Sequence, residues 1–524
     1  MRRYHAAKPR SIPPLAMAAA AFGAACTGCP PATHPETAEP RTELVLGTTF
    51  EPTTLDPMLA GPGAGAREVT RLLFRELLRF DTEWNVVPDL AAELPKRRTR
   101  NGRTVLRWTL GRHFWSDGTP VRARDVRFAW RLERNPKLDA ANHPGALRVS
   151  DLRVLDAKRF EVVWSEPTWA AAVPRVHTVL PAHAYPELPE AGPFRGFGDE
   201  PVSNGPFRLE RWIPGVKAVF APNPHWPGPG PHLERVVFRF FQGAESLALA
   251  LRAGEVDAVG EASGLGLEQV VELGRVLSDR EAVVRPGALW LHAELRLDHP
   301  VLARRATRQA IARAVDRDKM AQLVYAGAAR PAWGLFPHPH PAHRAEGPGD
   351  WAKEVPFESG DPRQLELQFA AGSPAAEAAA AVLGEALQDL GFQVRQRALP
   401  FRTLFDRMER RVHGEVVVFA WRTRPDWDAR SVLHETGRQN FSGYADPEVN
   451  RWLEAAESAK TSTAWVNQLQ RVAERFRRDL PAIPLLFRDT ASLKPVDLEG
   501  WRPTGTTTPV TATAEHWRWR PPPP

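Results

Sequence analysis

Three imidazoles fall within six residues in His338-Pro339-His340-Pro341-Ala342-His343. Neutral histidine is a good ligand for nickel, copper or zinc, so His338, His340 and His343 are weak metal-site candidates. The interleaved prolines hold such a segment extended and point alternate side chains apart, and the competing reading is a solvated Pro-rich loop. The only sulfhydryls are Cys26 and Cys29, near the start of the chain. Beyond them no residue can serve as a cysteine nucleophile, bind an iron–sulfur cluster or complete a thiolate zinc site. The G-x-S-x-G elbow, the H-E-x-x-H helix and the G-x-x-x-x-G-K-[ST] loop are all missing. Gly61-Pro62-Gly63-Ala64-Gly65 is glycine-rich but carries a proline and no lysine, which argues against a phosphate cradle. The residues point to binding rather than catalysis, with no cofactor.

These side chains must be positioned by a long chain. At 524 residues it exceeds what one hydrophobic core supports, so two or three domains are expected. Glu43 to Gly47 reads as a first strand, and Arg67 to Leu78 has apolar residues at helical spacing. Thr104 to Leu110 alternates as a strand and leads into the turn Trp115-Ser116-Asp117-Gly118-Thr119-Pro120, after which Ala123 to Leu132 restarts a helix. Phe160 to Trp164 and Val236 to Phe241 are further strands, and the helix Ser246 to Ala253 ends on Gly254. Strand-like segments at 365–369, 394–399 and 416–419 are interleaved with helices at 374–390 and 401–411. That rhythm predicts an α/β domain with a mostly parallel sheet. No fixed-period repeat is present.

Net charge is +7, with a sequence pI near 9.7. Arg2, Arg3, Lys8 and Arg10 lie before an apolar run from Leu15 to Ala25, which leads to Cys26. A charged start, a short apolar stretch and small residues before a cleavage point are the layout of a secretory signal. The cysteine after small residues resembles a bacterial lipobox, which makes Cys26 (or Cys29) a lipidation site. Without the leader the balance is close to neutral. Basic and acidic residues alternate along the body, as expected of mixed-charge solvated faces rather than a nucleic-acid binder. Residues 30–42 are rich in Pro, Thr, Ala and Glu and read as a flexible tether. Residues 519–524 end in four prolines and are expected to be a disordered tail.

Several segments are similar, in order, to one family. Thr54-Leu55-Asp56-Pro57, Leu72 to Asp81 and Trp115-Ser116-Asp117-Gly118-Thr119-Pro120-Val121-Arg122-Ala123-Arg124-Asp125-Val126 come first. Asn204-Gly205-Pro206-Phe207, Asn223-Pro224-His225-Trp226, Leu251 to Asp257, and Arg308 to Arg317 follow. From about Leu44 to Phe487 the chain resembles the family 5 solute-binding proteins of ABC transporters, the oligopeptide/dipeptide class. Most of these motifs read as turns and caps. Arg317 is expected to place its charge at a helix C-terminus.

The resemblance implies a two-lobed periplasmic-binding-protein fold (type II, cluster C) with an extra subdomain, closing over its ligand like a hinge. The implied layout is a leader at 1–29, a tether at 30–42, and lobe I at 43–70, 201–288 and 482–518. The extra subdomain is 71–200 and lobe II is 289–481. It further implies an exported, monomeric protein on the periplasmic or outer side of a bacterial membrane. The protein would touch the membrane only through a lipid anchor and deliver an oligopeptide or similar solute to a permease and ATPase complex.

Relatives hold the ligand's α-amino group with an Asp shortly after a Trp. Here Trp421 matches, but the Asp position is Arg424. Three alternatives follow: Asp426 or Asp428 takes over, Arg424 receives an anionic group, or these charges pair with each other. Trp421 and Trp427 are the stacking candidates. Glu294, near a position where relatives commonly carry Asn, is a further acidic partner or a hinge salt bridge. Other implied roles are binding of a metal chelate, haem or other anionic solute, or ligand sensing without transport.

Overall fold

The computed structural model describes residues 41–60, 63–138, 146–165, 179–187, 197–198, 200–344, 347–352 and 363–521. The leader with Cys26 and Cys29, and most of the expected tether, lie outside the described residues. The described residues begin at the end of that tether. Arg41 pairs with Asp257, and the Glu234 N–H donates to the Thr42 carbonyl at 2.8 Å.

A first sheet runs in the order Glu43–Thr48, Arg235–Phe240, Lys217–Pro222, Phe207–Ile213. Its first pair is parallel and the other two are antiparallel. A second four-stranded antiparallel sheet, in the order Lys96–Arg100, Arg103–Thr109, Arg159–Trp164, Val149–Val154, packs on the helix Ala123–Glu133. A six-stranded sheet forms the other lobe, in the order Ala329–Pro331, Ala482–Pro495, Arg280–Leu295, Val416–Arg422, Gln364–Ala370, Gln393–Leu399. Only its last three strands are mutually parallel. The expected mostly parallel sheet is therefore a mixed one. The β-α-β signal covers 364–422 only, and the long partner strands come from distant chain segments and enter antiparallel.

Those two partners, Arg280–Leu295 and Ala482–Pro495, are 16 and 14 residues long and pair with each other along most of their length. Their early and late residues, Arg280 to Arg285 against Thr490 to Pro495, lie beside the first lobe, where Val259 bridges Leu493. The register breaks between Arg285 and Leu289, and beyond the break both strands belong to the six-stranded sheet. This is the crossing between lobes. On the second strand it falls near residues 488–490, so residues 482–488 belong to the second lobe's sheet, not to the first lobe as the sequence suggests. At Gly287 any Cβ would meet the Arg488 carbonyl at 2.3 Å, so the two backbones touch where the register shifts.

The motifs work as scaffold. The Asp125 carboxylate accepts the Arg122 N–H at 2.8 Å, the Trp115 indole N–H at 3.3 Å and the Ala182 N–H at 3.3 Å. It ties turn, helix start and a distant segment to one buried point. Gly118 takes φ of 86° in the turn. The helix expected over 67–78 spans Ala64–Leu73 instead. Asn204 and Gly205 both donate backbone N–H groups to the Leu73 carbonyl, and Asn204 Oδ1 accepts the Arg75 N–H. This terminal clamp outcompetes the apolar spacing that would have continued the helix to Leu78. Leu78 begins the short strand Leu78–Phe80.

Residues 518–519 form a strand with Leu498–Glu499, and the Arg520 N–H donates to the Asp497 carbonyl, which corrects the expected tail at 519–524. Trp517 stacks on Trp501 at 4.8 Å and anchors that end. Arg317 sits behind the helix Arg305–Ala314 and donates to the Ala312 and Val315 carbonyls, as expected of a C-terminal cation. It also opens the next helix, Arg317–Tyr325, and reaches the Ala332 and Pro484 carbonyls. Arg317→Met should leave these buried acceptors unsatisfied and lower unfolding stability by about 3 kcal/mol. Denaturant unfolding measures this, and an unchanged midpoint would refute the assignment.

Candidate functional site

Gln364–Ala370, Gln393–Leu399 and Val416–Arg422 run parallel, so their C-terminal ends share one edge. The register places Leu289, just past the crossing, opposite Arg422 at that same edge. The edge therefore faces the first lobe. In open α/β sheets a ligand binds in the crevice outside the strands' C-terminal ends.

Two kinds of group line it. The first is aromatic. Trp421 lies 5.0 Å from Phe419 and 6.1 Å from Phe441, with Phe405 at 6.5 Å. Phe401, at the start of the next helix, is 59% exposed and stacks on Phe405 at 6.1 Å. Trp421 and Phe405 are half-buried, so the wall offers ring faces to a solute.

The second is cationic. Leu289 is opposite Arg422 on one neighbouring strand and Arg488 on the other, so the two guanidiniums flank it on one face. Arg488 lies over the Tyr325 ring at 5.4 Å. Arg422 is solvent-accessible, yet protein surrounds it closely enough to lower its pKa. Burial is the main cause and the like charge of Arg488 the second, with Glu261 acting in the opposite sense.

Among the sequence-derived site residues, Arg424 and Asp426 pair with each other at 2.7 Å. Asp426 is buried, and its Oδ1 has no hydrogen-bond partner among the described residues. Asp428 accepts the Arg430 N–H at 3.0 Å and holds the turn into a short helix. Trp427 packs between Trp290 and Phe336, with ring centroids at 6.0 and 5.7 Å. Glu294 is not brought to this edge. It lies four residues further along the strand than Trp290, which faces Trp421, or about 13 Å deeper into the sheet. There it is buried, 3.3 Å from His292 Nε2.

Two histidines of the trio are spent on backbone, while His338 is exposed. His340 is buried, donates from Nε2 to the Trp427 carbonyl at 3.1 Å, and accepts the Ala342 N–H on Nδ1. Burial pushes its pKa down to about 3, so it stays neutral. His343 Nδ1 bonds the Phe336 carbonyl at 2.8 Å. His340 is thereby unavailable as a ligand, and no group of three or more metal-type side chains exists among the described residues.

Sequence reasoning missed Arg422 and Arg488 as a pair, and it missed a carboxyl pair in the first lobe. Glu68 is buried over Gly260, and neither of its oxygens has a well-formed hydrogen bond among the described residues. Glu261 accepts the Gly505 N–H at 2.7 Å and the Thr490 hydroxyl at 3.4 Å, both beside the crossing. Both groupings join positions far apart in the chain, Arg422 with Arg488 and Glu68 with Glu261, and leave no local signal.

A family profile for the bacterial extracellular solute-binding proteins, family 5, matches residues 85–442. The chain belongs to this family. The match lies within the 44–487 stretch whose motifs resemble it. Protein XP55 of Streptomyces lividans is 28% identical over 500 residues, covering 88% of each chain. Among solved structures, the fold is that of a periplasmic murein tripeptide binding protein in its unliganded open form. The TM-score is 0.76 at 19% identity, covering 92% of this chain and 98% of that one. An oligopeptide binding protein from Thermus thermophilus, complexed with a pentapeptide, gives a TM-score of 0.64 at 21% identity, with 92% and 97% covered. The family member described here has the two-lobed fold expected from its motifs, and no helix among its described residues is long and apolar enough to cross a membrane.

The carboxyl pair generates a pH prediction. Burial, with the neighbouring Glu261 charge second, raises the Glu68 pKa to about 8, and burial raises that of Glu261 to about 7. Arg285 opposes the second shift. Both values exceed the ordinary 4.5, so between roughly pH 4.5 and 8 the folded state holds protons that the unfolded chain has released. Stability contributed by this pair must then fall as pH rises through that window and level off above it. The melting temperature of the ligand-free protein, measured from pH 5 to pH 9, should fall less steeply in Glu68→Gln than in the parent. Parallel curves would refute it.

Proposed function

We propose that this protein captures a peptide or peptide-like solute between its lobes and delivers it to an ABC permease and ATPase complex. It acts as a monomer, exported and held to the outer side of a bacterial membrane through acylated Cys26 or Cys29. The observation that carries the ligand reading is the cleft edge at the ends of three parallel strands. An aromatic wall lies there beside two guanidiniums, Arg422 and Arg488, that have no ion-pair partner among the described residues. The family membership and the peptide-binding relatives support the same reading.

The site's charge favours one mode of holding the ligand. Asp426 neutralises Arg424, so the amine anchor expected of relatives is replaced by a pair with no net charge. Arg422 and Arg488 instead offer a bidentate-capable pair of cations to a carboxylate. The ligand is accordingly a solute with a free carboxylate, its apolar portion lying against Trp421, Phe405 and Phe401.

Native mass spectrometry of the purified mature protein tests the class. Co-purifying peptides are expected, whereas a bound metal chelate or haem would replace this reading with the metal-carrier one. The binding mode is tested with tripeptides carrying a free or an amidated C-terminus. Arg422→Ala with Arg488→Ala should weaken capture of the free acids at least tenfold, on the order expected for lost charged hydrogen bonds, and change the amides little. Equal losses for both series would refute carboxylate recognition.

A further inference from the structure

The positive charge of this protein is not spread evenly, contrary to what its alternating sequence suggests. Residues 91–165 contain 17 basic and 8 acidic residues, a net of +9, while the whole chain carries +7. The rest of the chain is therefore slightly acidic. This basic segment is the antiparallel sheet that packs on the helix Ala123–Glu133.

Within it, the excess is sharpest in one hairpin. Lys96–Arg100 pairs with Arg103–Thr109 across an Asn101-Gly102 turn, in which both residues have positive φ, 51° and 72°. Cross-strand register puts Lys96, Arg98 and Arg100 on the same face as Arg107, Val105 and Arg103. Lys96 is paired with Glu93, and Arg107 with Glu161. Arg98, Arg100 and Arg103 are exposed, and their guanidiniums make no ion pair or hydrogen bond among the described residues. Arg100 and Arg103 are directly opposite each other, an arrangement of like charges that costs a hairpin stability. The same residues sit exposed at the end of a hairpin, spread over both strands. They fit an extended surface of negative charge, where each added cation strengthens the contact.

We propose that the Lys96–Arg107 hairpin docks on an anionic phospholipid surface. The family is extracellular, which removes nucleic acid from the partners in reach and leaves lipid phosphate as the surface of matching chemistry. The contact is separate from any acyl anchor near the start of the chain, and it adds a second membrane contact to the single one implied by the family resemblance. It involves no ligand, and it leaves out Arg97, which donates from the same hairpin to the Ala459 carbonyl between the helices Pro447–Glu457 and Ser462–Asp479. With this hairpin held at the headgroups, the sheet that carries it faces the membrane.

The test uses the body of the protein, residues 41–521, which contains every core cluster and carries no acyl group. Co-sedimentation is measured with vesicles of phosphatidylcholine alone and of phosphatidylcholine mixed with phosphatidylglycerol. The expected result is binding to the mixed vesicles only, weakening as salt is raised from about 0.05 to about 0.5 M. Arg98→Gln/Arg100→Gln/Arg103→Gln should reduce that binding on the order of a hundredfold. It should also leave the melting temperature equal or higher, since it removes a like-charge opposition. A control variant, Arg395→Gln/Arg397→Gln, removes two exposed arginines from the outer strand of the six-stranded sheet and should bind as the parent does. Four outcomes each overturn the proposal: no binding to mixed vesicles at low salt, equal binding to both vesicle types, a triple variant that binds like the parent, and a control that loses as much as the triple variant. Because no peptide enters the assay, its failure leaves the ligand reading untouched.

Discussion

Two strands hold this molecule together and also let it divide. Arg280–Leu295 and Ala482–Pro495 pair with each other on both sides of a register break, so each belongs to the first lobe at one end and to the six-stranded sheet at the other. Backbone hydrogen bonds resist stretching along such a pair but tolerate bending where the ladder is interrupted. The break at residues 286–288 is that interruption. The cleft edge, the flanking arginines and the buried glutamates all lie within reach of it, because the crossing fixes which strand ends can face which lobe.

Charge around the crossing is arranged by lobe. The first lobe contributes Glu68 and Glu261, and the second contributes Arg422 and Arg488, with Arg285 on the strand between. Glu261 binds the Thr490 hydroxyl and the Gly505 N–H, so a carboxyl that feels the cleft is tied to the bending element itself. The proposed ligand contacts and the lobe crossing thus lie close together. Further out, Arg424 is used up by Asp426, and His340 by the Trp427 backbone. Both are residues that look available in sequence and are occupied in structure.

Legibility followed the range of the interactions. The Trp115-to-Asp125 turn and helix can be read directly, because the bonds that shape its turn and helix start, from the Trp115 indole and the Arg122 N–H to Asp125, run between residues of the motif. The end of the helix 64–73 is not legible locally, because the clamp comes from Asn204 and Gly205, some 130 residues away. The sheet's parallel character was overestimated for the same reason: three local strands were visible and their antiparallel partners were not. In the candidate site, Trp421, Arg424 and Asp426 can be proposed from sequence because they are close in it. Arg422 and Arg488 became a pair only through the register on either side of Leu289. Charge crowding in 91–165 was present in the sequence but was lost in whole-chain averages.

The crossing also says something about how such a protein can change over generations. The chain leaves for the six-stranded sheet near residue 288 and comes back near 488, on adjacent strands whose backbones touch at Gly287 and Arg488. Everything between is spliced in through one narrow doorway. A segment bounded in this way can be exchanged as a cassette between relatives. Recombination at the two neighbouring seams would give the recipient a new set of strand-end side chains, Arg422 among them, while its own sheet and basic hairpin stayed as they were.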